Sequence, residues 1–223
     1  MMVLQWFFYG LAAYLLGSIT FGRLIARRVG HIDITRQGSG NVGATNVSRA
    51  LGIKWGIVTL ILDVLKGFIP VIIVANYYGL QDGSINEAGI VAVGLCALLG
   101  HQFSVFHRFK GGKGVATALG MYLGISSVTC ISCLSVLILF VLVVYKWGFI
   151  SLGSIVSACA IPVFLALFGG SWIYIIGSII VCGLVCYKHK ENIQRLLKKE
   201  EPKWPNKRDQ ESKLRSLSNS SSE

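Results

Sequence analysis

Two glycine-rich runs have the composition of anion-binding loops. The first is Gly38-Ser39-Gly40-Asn41-Val42-Gly43-Ala44-Thr45-Asn46, with Arg49 three residues beyond. Its three glycines allow backbone N–H groups to turn towards one point as a nest for an anion. Ser39, Asn41, Thr45 and Asn46 add side-chain partners, and Thr45 or Asn46 would open a short helix whose N-terminus favours phosphate. An ordinary Gly/Asn turn is the alternative. The second run is Phe109-Lys110-Gly111-Gly112-Lys113-Gly114-Val115-Ala116-Thr117. It departs from the nucleotide-binding GxxxxGK[ST] pattern because Gly114 follows Lys113, and no Mg²⁺-binding Asp follows it. Lys113 therefore reads as a point charge for phosphate at a helix start, with no nucleotide, metal or other cofactor. Two basic membrane anchors are the alternative, but anchors need no Gly111, Gly112 and Gly114 around them.

Weaker signals lie elsewhere. Ser151-Leu152-Gly153-Ser154 opens an apolar run, where serines commonly bond back to their own helix. His189 and Asn192 are spaced to share a helix face just beyond the last apolar run. Asp63 and Lys66 are also three apart, inside an apolar segment, where ionisable groups must pair with each other or face a polar site. His101 ends another segment. Cys130 and Cys133 form a lone CxxC; all six cysteines lie in apolar stretches and are expected to be reduced, structural thiols with no metal site.

The elements that must position these groups are membrane helices. Of the 223 residues 53% are hydrophobic and 14% charged, with a mean hydropathy of +0.64. A soluble domain does not need so much apolar surface, whereas roughly 20 apolar residues cross a bilayer core. The net charge of +11 fits basic cytoplasmic loops and anionic lipid rather than nucleic acid in such a chain. No Lys or Arg precedes Arg23, so the first apolar run lacks the basic region of a cleavable signal.

Apolar segments fall near Val3–Ala26, Trp55–Tyr78, Ala88–Phe106, Val115–Ile125, Val128–Tyr145, Phe149–Phe168 and Trp172–Tyr187. Arg27, Arg28, Arg36, Arg49 and Lys54 separate the first two. The next loop carries Asp82 and Glu87 without Lys or Arg; Arg108, Lys110 and Lys113, then Lys146, then the run from Lys188 to Arg215 follow. Keeping every basic cluster inside requires even numbers of passes between them. Seven transmembrane helices, N-terminus outside and C-terminus cytoplasmic, meet that condition in an all-α integral membrane protein. The fourth segment spans only about 20 Å, so counts of five or six stay open. Residues 1–200 form one membrane-embedded domain, and 201–223 a polar, Ser-rich cytoplasmic tail expected to be disordered.

Arg49, Lys113, Ser154, His189, Asn192 and both glycine runs thus fall on one inner face. Gathering them there suits an anionic, amphipathic ligand. Together with Gly17-Ser18-Ile19-Thr20-Phe21-Gly22, Asp63-Val64-Leu65-Lys66-Gly67 and His189–Arg195, these motifs resemble the bacterial acyl-phosphate:glycerol-3-phosphate acyltransferases, the PlsY family. The resemblance runs in order to about Glu201. Lys190 departs from it, standing where the family commonly has Arg, and so does the extra tail.

The resemblance implies seven membrane helices in the bacterial inner membrane, with the site on the cytoplasmic side. It implies transfer of a fatty acyl group from acyl phosphate to the 1-hydroxyl of glycerol 3-phosphate, giving lysophosphatidic acid and inorganic phosphate. Membrane lipids are its other expected partners; neither nucleic acid nor an obligate protein partner is expected. By matching motif, Ser39, Gly40, Asn41, Gly43, Ala44 and Thr45 would hold the acyl phosphate. Arg49, Lys113, Ser154, His189 and Asn192 would line the glycerol 3-phosphate site and reacting centre, with Asn46, Gly111, Gly112 and Gly114 in the binding loops. Lys113, Ser154 and His189 are the catalytic candidates. Either His189 or the substrate's phosphate would take the hydroxyl proton. No His precedes an Asp by five residues, so the HX4D motif of thioester-using acyltransferases is missing. A transporter for a phosphorylated molecule is the competing reading, yet the polar clusters do not extend to the outer loops. A lipid-binding scaffold would explain the basic tail but not the glycine loops.

Overall fold

The computed structural model describes residues 2–78 and 84–204, and every regular element among them is helical. In chain order these are α1 (Met2–Ser18), α2 (Phe21–Val29), α3 (Ala44–Leu51), α4 (Ile53–Tyr78), α5 (Ser84–Gln102), α6 (Val115–Ile125), α7 (Ser127–Trp147), α8 (Ile150–Leu167), α9 (Trp172–Lys188) and α10 (Lys190–Leu197). The apolar runs make α1 and α4 to α9; α2, α3 and α10 are short amphipathic helices at the basic end. Gln81 and Asp82, from the acidic loop, lie outside the described residues, whereas Glu87 accepts a hydrogen bond from the Ser171 hydroxyl at 2.6 Å.

The outer surface is what a lipid environment selects. Phe7 and Ile138 are each 62% exposed, and Leu142 and Ile179 are comparably bare. Burying such side chains against water is the usual rule, and a belt of them marks contact with an apolar phase. Aromatic residues gather at both ends: Trp6 and Tyr78 lie 4.6 Å apart, centroid to centroid, at one. At the other, Lys146 lies over Trp147 at 4.6 Å and Lys188 over Phe103 at 4.1 Å. Such girdles mark the two membrane–water boundaries.

Among the described residues five helical segments are long and apolar enough to cross a membrane, and a sixth appears if α9 and α10, bent by 64°, count as one. The seventh apolar helix, α6, has 11 residues, about 16 Å, too short to cross alone. It packs along α4, with Gly124 in its last turn beside Phe68 and Ile72. The chain then restarts as α7 without stranding backbone groups. Ser126 and Thr129 form a reciprocal cap, and the Thr129 hydroxyl donates to the Tyr122 carbonyl at 2.8 Å. In an apolar phase that satisfaction is what allows a break.

The first apolar run is also broken, between Ser18 and Phe21. Lys66 in α4 holds the break by donating to the Ile19 carbonyl at 2.8 Å while pairing with Asp63 at 2.9 Å. The Ser104 hydroxyl donates to the Ser18 carbonyl at 2.6 Å from the other side. Asp63 and Lys66 therefore pair with each other, as their spacing suggested, and stitch α1, α2 and α4 together at the basic end.

Residues 201–204, the start of the polar tail, pack against the helices. Glu201, Pro202 and Trp204 line one cavity with residues of both glycine-rich runs, and Glu201 is hydrogen-bonded to α8 and α10. Glu201 is held there by Arg195, and Trp204 by its N–H donating to the Gly148 carbonyl. Ser216 to Ser222 lie outside the described residues.

Candidate active site

A cavity of about 470 Å³ opens between α4, α6, α7, α8 and α9 and reaches the basic end. Its polar part is lined by Ser39, Asn41, Gly43, Ala44, Thr45, Asn46, Arg49, Lys113, Gly114, Ser154, His189 and Asn192, so the two loops and the two later motifs meet at one cavity. Its apolar part runs past Ile57, Leu60, Leu119, Tyr122, Phe140 and Ile161.

Four helices present their N-termini to this polar part. Ala44 and Thr45 begin α3, Val115 and Ala116 begin α6, Ile150 and Ser151 begin α8, and His189 caps α10. Among the described residues none of the four has a side-chain cap. The positive ends of four helix dipoles thus border one volume, an arrangement that favours an anion. Arg49, Lys113 and Arg195 add cationic groups. Among the described residues no carboxylate lies within ion-pair distance of Arg49 or Lys113.

The first loop is built differently from the expected nest. The N–H of Ser39 donates to the Asn46 side-chain oxygen, that of Gly40 to the Gln37 carbonyl, and that of Gly43 to the Asn41 side chain. Asn46, 2% exposed, donates in turn to the carbonyls of Gln37 at 2.9 Å and Asn41 at 2.8 Å. Its amide therefore holds the loop closed, and the residue also lines the cavity. Gly40 lies off the cavity wall. The helix opens at Ala44, capped by Gly43, one residue before the earlier of the two starts expected.

Gly111 and Gly112 also lie off the wall. The Gly112 N–H donates to the His101 carbonyl at 3.0 Å, and a Cβ on Gly111 would run into that same oxygen. These glycines permit the loop to lie against the end of α5. Gln102 completes the attachment by donating to the Lys113 carbonyl at 2.9 Å. Gly114 takes the left-handed conformation, φ 86, that starts α6.

Lys113 is partly buried, and that burial pushes its ammonium down to about 8; Glu201 opposes the shift, whereas Arg195 and Arg49 add to it. His189, beyond the last span, bonds through Nδ1 to the Val185 carbonyl at 2.8 Å. Nδ1 must therefore carry the proton, leaving Nε2 as an acceptor. Burial, reinforced by the Lys113 charge, pushes its conjugate acid down to about 4, so the ring is neutral near pH 7. The Ser154 hydroxyl donates to the Ile150 carbonyl at 2.9 Å, the back-bond expected of a helical serine, and retains lone pairs as an acceptor.

Sequence reasoning missed Glu201. Its carboxylate accepts from the Ser151 hydroxyl at 2.6 Å, the Asn192 amide at 2.7 Å and Arg195 Nε at 2.7 Å. Burial alone raises this carboxyl, but the three hydrogen bonds outweigh it and hold the group below its ordinary range. Ser151 and Arg195 stood inside recognised motifs without being chosen. The one available signal was an acid directly after a basic amphipathic helix. Its meaning depends on the turn at Lys199, φ 59, which sends the chain back to the site.

The cysteines are unpaired among the described residues. Cys133 lines the apolar part of the cavity. Cys159, Cys182 and Cys186 bring their sulfurs within 4.8 Å of one another away from the cavity lining.

Known proteins share both sequence and fold. The family model described as glycerol-3-phosphate acyltransferase matches residues 7–199. A glycerol-3-phosphate acyltransferase of Geotalea daltonii is 50% identical over 186 residues, covering 83% of this chain and 91% of the relative. One from Aquifex aeolicus is 44% identical over 187 residues, covering 83% and 92%. The crystal structure of PlsY (YgiH), an integral membrane glycerol 3-phosphate acyltransferase, in its glycerol 3-phosphate form is similar at a TM-score of 0.83 and 40% identity, covering 90% of this chain and 96% of that one. Its lysophosphatidic acid form gives 0.81 and 39%, covering 91% and 96%. The chain belongs to the glycerol-3-phosphate acyltransferase family.

Proposed function

We propose that this chain transfers a fatty acyl group from acyl phosphate to the 1-hydroxyl of glycerol 3-phosphate, releasing lysophosphatidic acid and inorganic phosphate. In this reading its seven apolar helices lie in the bacterial inner membrane, the short α6 crossing only part of it, N-terminus outside, with the site facing the cytoplasm. The observation that carries the reading is the cavity's division: an apolar channel joined to a pole of cations and uncapped helix N-termini. That shape suits a donor with a long alkyl chain and a phosphate head, and a polar acceptor entering at the basic end. The glycerol 3-phosphate and lysophosphatidic acid forms of the similar PlsY fit the same reaction.

Ser39 and the first turn of α3, Ala44 and Thr45, hold the donor phosphate. Arg49, Lys113 and Asn192 hold the acceptor phosphate, with Ser154 and His189 beside the reacting centre. The acceptor oxygen forms a C–O bond to the acyl carbon; the bond from that carbon to the phosphate oxygen breaks, and its electron pair leaves on phosphate. Acyl phosphate is already activated, so positioning and stabilisation of the negative charge supply the remaining catalysis. The hydroxyl proton passes to substrate phosphate. His189 is a poor base because its conjugate acid lies at about 4; its Nε2 instead accepts a hydrogen bond that orients the acceptor.

The test is purified protein in lipidic mesophase with palmitoyl phosphate and glycerol 3-phosphate, without metal or nucleotide. Lysophosphatidic acid and phosphate should appear only with both substrates, and Lys113→Ala should abolish them. Folded wild-type protein that yields neither product would exclude acyl phosphate as the donor.

A further inference from the structure

Past α10 the chain turns back over the site. Lys199 adopts a left-handed turn, the Glu200 N–H returns to the Arg195 carbonyl at 2.8 Å, and Glu201 is fixed by its three side-chain partners. The Trp204 N–H then donates to the Gly148 carbonyl at 2.6 Å, in the connection between α7 and α8. Lys203 lies over the Phe149 ring at 5.8 Å. Residues 201–204 thus bridge α10 to the α7–α8 connection and line the cavity as they cross. At the end of this bridge the guanidinium carbon of Arg49 lies 5.8 Å from the centroid of the Trp204 ring. Arg49 Nε is buried without a hydrogen-bond partner among the described residues.

The two arginines of the site are held by opposite means. Arg195 Nε is engaged by the Glu201 carboxylate, which neutralises its charge and occupies a donor. Arg49 rests against an aromatic ring, which attracts the cation through its π face and leaves the terminal N–H groups for a ligand. A long side chain loses rotamer freedom when a ligand fixes it, and a ring that holds it beforehand removes part of that cost. We propose that Trp204 is a positioning residue that holds Arg49 ready for the phosphate of glycerol 3-phosphate. This rests on the reading of Arg49 as a phosphate ligand in the proposed function.

The experiment uses the full chain with Trp204→Ala, Trp204→Phe, Arg49→Ala and the Arg49→Ala/Trp204→Ala double variant. Both turnover and calorimetric binding of glycerol 3-phosphate are measured. Trp204→Ala should raise KM and Kd for glycerol 3-phosphate by about 2- to 30-fold with kcat little changed, the range of a cation–π contact. Trp204→Phe should recover most of the affinity, and Trp204→Ala should add nothing once Arg49 is gone. Unchanged affinity in Trp204→Ala, a Phe variant no better than Ala, or the same penalty without Arg49 would each overturn the proposal. Wild-type protein that binds glycerol 3-phosphate without turnover, and loses affinity in Trp204→Ala, would refute the acyltransfer reading while sustaining this one. Wild-type protein that does not bind glycerol 3-phosphate overturns both.

Discussion

The two glycine loops look alike in sequence and are held by different forces. The Gly38–Asn46 loop closes on itself: the buried Asn46 amide bonds its backbone from within, and its N–H groups at Ser39, Gly40 and Gly43 are engaged there. The Phe109–Gly114 loop is held from outside, by His101 and Gln102 at the end of α5. Each loop then delivers the same pair of tools, an uncapped helix start and one cation: α3 with Arg49, α6 with Lys113. Glycine richness alone therefore does not specify an anion nest. In one loop it permits internal hydrogen bonds, in the other a close approach to a neighbouring helix.

Substitutions separate these two modes. Gly111→Ala places a Cβ on the His101 backbone oxygen, which cannot swing aside, and should destabilise the protein by about 3 kcal/mol in thermal unfolding. A melting temperature within a degree of wild type would show that the loop is not clamped on α5. Asn46→Ala comes next. It leaves the Ser39 N–H and two loop carbonyls without their partner, at a cost of about 2 kcal/mol, and should weaken substrate binding through α3 without touching Lys113. Normal stability in that variant would remove the internal-closure account.

A third contrast lies in the cations. Arg49 offers a guanidinium and Lys113 an ammonium, and Lys113 loses its proton at about 8. Above pH 8 the KM of the free enzyme for glycerol 3-phosphate should climb, reaching about tenfold by pH 9, equivalent to about 1.4 kcal/mol. Lys113→Arg should flatten that rise; an unchanged profile in it would assign the alkaline limb elsewhere. The linkage sign sets this apart from unfolding. The folded pKa is depressed from 10.5 to about 8, so between those values the unfolded chain binds more protons. Lys113 thus makes stability rise with pH across that window while affinity falls. The smallest effect is expected of Gly43→Ala: its φ of −81° is open to any residue, and the nearest atom to an added Cβ is 3.7 Å away. Less than about 1 kcal/mol should be lost, from the weaker helix cap alone. A loss matching Gly111→Ala would erase the distinction between the loops.

The legible part of the molecule was that encoded locally. Apolar runs fixed the helices from α4 to α9 within a few residues, because an apolar phase leaves the backbone little choice but internal hydrogen bonding. Charge pattern put both glycine loops, Ser154 and His189 at one end, where the structure brings them to one cavity. The break between α1 and α2 was not legible, since Lys66 supports it from 47 residues away. Nor were the partners of Asn46: a Gly/Asn-rich loop has the same composition whether its amides face inwards or towards a ligand.

The sequence by itself determined that this is a helical membrane protein with phosphate-suited chemistry at its basic end, since hydropathy and charge act residue by residue. Tertiary structure alone decided that four helix starts share one cavity, that Glu201 and Trp204 belong to the site, and that Arg49 and Arg195 are held differently. Each of these depends on a turn or a packing contact joining segments distant in sequence. No local pattern carries that information, because the same residue at the same spacing serves the site or the solvent according to where the chain returns.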